Sequence, residues 1–203
     1  MSQRGPYVTV CILLTLLLRT TVAYAQDRSG THWYFGQRAG MTFVSGNVDV
    51  LADGQLRTNE GCAAVSDPVT GELLFYTDGV TVWNRLHDPM PNGRDLNGDV
   101  STSQSALIVP VPGSSTQYYI FNAAPITSSD LRERCFCLYY SVVDMSLDAG
   151  FGEVTTKNVQ LWQDITEHVT AAADCRDDGW WVIVRSGITR DFYSFRVERG
   201  RID

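Results

Sequence analysis

The residues of this chain that could carry chemistry are few and scattered. Asp67, Asp78, Asp144 and Asp174 stand at the ends of apolar runs, where two carboxylates brought together by folding would serve glycoside hydrolysis. Asp at a strand end more often closes a turn through bonds to its own backbone, and all four are read that way. The sequence contains no Gly-x-Ser-x-Gly elbow, no His-Glu-x-x-His and no phosphate-cradling glycine loop ahead of a helix. Asp95-Leu96-Asn97-Gly98-Asp99 offers oxygens at the first, third and fifth positions of a calcium loop. Val100 stands where an EF-hand needs glycine and Ala106 where it needs glutamate, so the stretch reads as a solvated loop. His32, His87 and His168 occur singly and read as surface or capping residues. No catalytic, cofactor or metal site is assigned, and the chain is read as non-enzymatic. A carbohydrate-active enzyme is the alternative.

The amino terminus says where the protein works. One charge, Arg4, precedes an apolar run from Val8 to Leu18, and Ala23-Tyr24-Ala25 follows. A basic start, a short apolar core and small residues at the cleavage positions predict a secretory signal peptide over 1–25. Arg19 ends the run well short of the roughly 20 apolar residues that span a bilayer, so no lasting membrane anchor is expected. The leader holds two of the 16 basic residues and none of the 23 acids, which leaves 14 against 23, a net charge of −9. An acidic surface of this kind disfavours nucleic acid and anionic membranes as partners. Export to the outer surface or the medium is expected, with the periplasm as the alternative.

Cys11 belongs to the leader, so Cys62, Cys135, Cys137 and Cys175 remain. In an oxidising compartment four cysteines allow two disulfides in three pairings. Cys135 and Cys137 share a strand face by their spacing, so each is expected to bridge elsewhere rather than to the other. Aromatic residues are abundant: Trp33, Tyr34, Trp83, Trp162, Trp180 and Trp181 are candidates for stacking on sugar. Trp180 and Trp181 are adjacent and must face opposite ways on a strand; both are expected to be buried between sheets.

The elements that would position these residues are strands. Short β-branched or aromatic runs alternate with Gly, Pro, Asp and Asn, and no mature segment keeps a sustained helical period. The runs recur in one order: a small-residue strand, a tight turn, a bulky strand, a loop and an aromatic strand. Residues 62–83, 106–143 and 171–197 each follow it, and 33–56 holds a partial unit. This predicts an all-β domain over 26–203 built of β-propeller-like blades, about three to four of them, too few for a comfortable ring. The domain is therefore expected to be the opening part of a longer protein. A β-sandwich is the alternative.

Several longer segments also resemble a known family. They include Trp33-Tyr34-Phe35-Gly36, Thr58-Asn59-Glu60-Gly61-Cys62, the run from Gly71 to Asn84, Met90-Pro91-Asn92-Gly93, Ser103-Gln104-Ser105-Ala106 and Tyr140 to Met145 with Gly152 to Asn158. They are similar to the N-terminal propeller-like region of large secreted surface proteins of the Bacteroidota. Such proteins often carry PKD-type repeats and a gliding-motility-associated sorting domain read by type IX secretion. The resemblance implies a structural, adhesive or glycan- or protein-binding role, with polysaccharide or surface proteins as partners. It supplies no catalytic residues.

Overall fold

The computed structural model describes residues 27–125, 136–175 and 179–203. The leader expected over 1–25 and Cys135 lie outside the described residues. Within them the chain is all-β, with antiparallel strands in three sheets and one 3-10 turn at Asp148–Gly150. The first sheet is β1 (His32–Phe35), β2 (Ala39–Thr42) and β3 (Asp49–Leu51). The second is β4 (Ala63–Ser66), β5 (Leu73–Thr77) and β6 (Val82–Asn84). The third has seven strands in chain order: β7 (Leu107–Pro110), β8 (Gln117–Pro125), β9 (Phe136–Asp144), β10 (Glu153–Ala173), β11 (Trp180–Ser186), β12 (Phe192–Glu198) and β13 (Arg201–Ile202). No sheet closes on itself.

The second sheet is the first expected unit, strand for strand. The other two expected units are present as β7–β9 and as the tail of β10 with β11 and β12, but they are not separate sheets. The 21 residues of β10 join them: its front half pairs with β9 and its rear half with β11. The strand expected at 171–173 is only the end of this ribbon. Four register shifts against β9 interrupt β10, and two of them fall at residues of positive φ. Asn158 and Asp164 both take positive φ, and the register against β9 shifts across each of them. Asn and Asp tolerate that conformation better than other side-chain-bearing residues. Asn158 is further held by its own amide, which accepts from the Asn97 N–H and donates to the Asp95 carbonyl, both at 2.8 Å.

Alternation along the strands builds the core in three layers. In β8, Tyr118 and Ile120 face the second sheet, meeting Phe75, Val82 and Val143. Tyr119, Phe121 and Ala123 face the other way, into a core shared with Leu138, Ile165, Val182 and Phe195. Side chains from both ends of the seven-stranded sheet meet in that second core, so the sheet folds over on itself with β10 as the bend. The third layer joins the first two sheets through Tyr34, Leu56, Leu73 and Tyr76.

Candidate functional site

Three of the four strand-end acids close turns, as read from their positions. Asp67 Oδ1 accepts the N–H groups of Val69 and Thr70 at 2.8 and 2.7 Å, and Asp78 Oδ1 those of Val80 and Thr81 at 2.9 and 2.8 Å. Asp144 Oδ1 takes the Ser146 N–H and hydroxyl. Asp174, buried, pairs with Arg196 of β12 at 3.1 Å, and the turn expected after it lies outside the described residues. In the loop at 95–99, Asp99 binds Ser101, and among the described residues no three acidic, His or Cys side chains gather as metal ligands.

The bond from the Thr70 N–H, opposed by slight burial and helped by the Val69 N–H, holds the Asp67 carboxyl below its ordinary range. A carboxylate held low adds stability above its unfolded value, near pH 4, which is lost as pH falls through the folded value. The chain is therefore expected to lose stability in acid below about pH 4. Asp67→Asn should start less stable at neutral pH and decline less steeply there, as urea midpoints across pH would report.

His87 is not an isolated surface residue. It lies after β6 with φ of 65° and joins a hydrogen-bonded chain that ties the first two sheets. Tyr76 Oη lies 3.0 Å from His87 Nδ1, His87 Nε2 is 3.4 Å from Asp53 Oδ2, and Tyr34 donates to Asp53 Oδ1 at 3.1 Å. The Gln55 N–H donates to Tyr76 Oη at 3.1 Å. If Tyr76 donates to Nδ1, the ring proton sits on Nε2, facing the carboxylate, and the whole chain is satisfied. Tyr34 stacks on Tyr76 at 4.6 Å and Tyr76 on Trp83 at 5.6 Å. Burial first, then the Asp53 charge, push the Tyr34 hydroxyl up, and burial takes Tyr76 to about 12. Phenols held protonated and covered by stacked rings donate bonds rather than attack substrates. This is a fastener. Tyr76→Phe leaves the Gln55 N–H and His87 Nδ1 without their partner and should cost about 1–3 kcal/mol by urea unfolding, with the fold retained.

The aromatic residues divide. Tyr34 is buried and Trp83 half-buried, whereas Trp33 and Trp162 are about half exposed. Trp180 packs on the core of the seven-stranded sheet. Trp181 corrects the expectation of burial: it lies open on the other face, with the Arg196 guanidinium 5.8 Å from its ring. Trp33 shares the outer face of the first sheet with Phe35 and, across the strands, with Met41 and the 86 % exposed Val50. That face is apolar and uncovered.

Trp162 sits beside an open groove of about 550 Å³. The front half of β10 brings Trp162 to one side, and its ring lies 5.2 Å from Tyr193 and 5.9 Å from Phe195 of β12. The hairpin from β11 to β12 supplies Ile188 and Thr189, and the bulge at Asp164 presents Gln163 and a carboxylate. Ser186 shapes that hairpin, its hydroxyl accepting the Ile188 and Thr189 N–H groups. An aromatic wall with amide, hydroxyl and carboxylate groups around it suits a ligand with both apolar faces and hydroxyls. Trp162 was visible as a candidate in the sequence. Tyr193 and Asp164 were not, because only the bulged path of β10 puts them beside it.

Among the described residues Cys62 and Cys175 are free thiols, and the pairing expected of Cys135 lies outside them. Cys62 donates to the Tyr34 carbonyl at 3.4 Å and is pushed up by burial, whereas Cys175 is exposed beyond the end of β10. Buried Cys137 lies on β9, with its sulfur 3.6 Å from the Gln160 amide nitrogen. Among the described residues no helix is long and apolar enough to cross a membrane. No family model, curated protein or solved structure matches the chain.

Proposed function

We propose that this chain is an exported, non-enzymatic binding module of a surface or secreted protein, and that it binds polysaccharide through the Trp162 groove. The observation that carries the reading is the exposed aromatic wall of Trp162 and Tyr193, bordered by groups able to bond hydroxyls. The two described carboxylates displaced from their ordinary range, Asp67 and Asp144, are both displaced downward and stand at turns. A general acid would need the opposite displacement. The leader-like start at 1–25 supports export.

Blades are the finer reading of the fold. A two-sheet sandwich encloses one core between its faces, whereas here three separate core clusters are formed. The uncovered apolar face of β1–β3 is of the kind that a neighbouring blade covers. The resemblance to Bacteroidota surface proteins points the same way.

A glycan array probed with the protein, read beside a hydrolysis assay on the same glycans, tests the function. Binding without turnover is expected, and turnover would replace this reading with a carbohydrate-active enzyme. Sequencing the amino terminus of the exported protein tests the leader. It should begin at Gln26.

A further inference from the structure

We infer that the Trp162 groove selects uncharged saccharide chains and that Asp164 sets this selectivity. The inference rests on the polysaccharide-binding reading and goes beyond it by naming the ligand class. Trp162 and Tyr193 offer ring surface to the C–H faces of a sugar. Among the described residues that line the groove, Asp164 is the acid, and neither Lys nor Arg is among them. No hydrogen bond from the described protein engages the Asp164 carboxylate.

That arrangement favours one class of ligand. Sugar hydroxyls can donate to a carboxylate in charge-assisted bonds, which are stronger than those between neutral groups. A uronate or sulfate placed there would face a like charge with no Lys or Arg among the described lining residues to offset it, and juxtaposed like charges are the usual means of rejecting a wrong partner. The protein's overall acidity acts in the same direction at longer range. Position 164 is also fixed by the fold: its φ of 60° makes the bulge, and its carbonyl accepts the Gly187 N–H at 2.7 Å. The carboxylate is thus carried on a held backbone rather than on a free loop.

Asp164→Asn is the informative substitution, because Asn tolerates the same backbone conformation and removes only the charge. Affinity electrophoresis of the exported protein would use gels containing galactomannan, mixed-linkage glucan or xylan, and gels containing polygalacturonate or alginate. At least one neutral polymer is expected to retard the wild type, with an apparent affinity at least tenfold above that for either acidic polymer. Trp162→Ala should abolish the retardation, and Asp164→Asn should narrow the neutral-to-acidic ratio at least threefold. Urea unfolding of each variant verifies that it is folded. Equal retardation by acidic polymers, a ratio unmoved by Asp164→Asn, or binding indifferent to Trp162 would overturn the inference while leaving polysaccharide binding intact. Retardation by none of the polymers would remove the binding reading itself. Trp162-dependent retention on denatured casein without any polysaccharide binding would reassign the groove to extended protein.

Discussion

Gly79→Ala is expected to destabilise the domain by about 2–5 kcal/mol, a large part of the roughly 5–15 kcal/mol that holds a domain folded. Gly79 closes the turn between β5 and β6 with φ of 88°. An alanine there meets the left-handed penalty of about 1–2 kcal/mol. It also lacks room: a methyl group would lie 2.7 Å from the Ser105 carbonyl and would overlap the Ser105 hydroxyl. Overpacking of that kind adds about 1–3 kcal/mol. The neighbours cannot easily retreat, because Asn122, fully buried, donates to both the Gly79 and Ser105 carbonyls at 3.2 and 2.9 Å. Gly46 supplies the control. It shares a positive φ of 80° but has nothing within 4 Å of an added methyl, so Gly46→Ala should cost only the conformational part, about 1–2 kcal/mol. Urea midpoints at unchanged slope would separate the two. Equal losses would mean that the Gly79–Ser105 contact is looser than described.

Trp162→Ala carries the largest expected effect on binding. An aromatic anchor at the centre of a contact loses about 2 kcal/mol or more on truncation, roughly a 30-fold fall in affinity for the polysaccharide. The same substitution uncovers Phe195, so a modest loss of stability is expected alongside. Trp162→Phe separates the two effects. It keeps an apolar ring over Phe195 and should recover most of the stability while recovering binding only in part. Titration calorimetry with the neutral polymer that best retards the wild type would measure both variants. Full affinity in Trp162→Ala would place the site elsewhere on the chain.

What the sequence disclosed follows the range of the interactions concerned. Leu73–Thr77 could be read to its ends because bulky residues are bounded by Gly71 and by the Thr77-Asp78-Gly79 turn. Asp67, Asp78 and Asp144 act on backbone two or three residues away, and their role was equally plain. β10 was not plain. Its polar stretches, with Asn158 and Asp164 inside them, carry the local marks of loops, and only pairing with β9 and β11 makes them strand. The fusion of two expected units into one sheet followed from that. Short β2 and β3 fall within 33–56, where only a partial unit could be read. The His87 chain needed Tyr34 of β1 and Asp53 from the loop after β3, both distant in sequence. The groove was half legible: a tryptophan suggested stacking, but its partners stand 31 residues further along, at Tyr193, and on a bulge that no short pattern announces.

The Trp162 groove is proposed to bind saccharide without cleaving it. One proton NMR titration tests this most directly, following the five indole N–H signals and the sugar anomeric signals while a neutral oligosaccharide is added to the exported protein. The Trp162 indole signal is expected to shift while that of the half-buried Trp83 stays in place, with no new reducing-end signals growing over hours. An unmoved Trp162 signal during binding, or a steady rise of reducing ends, would contradict it.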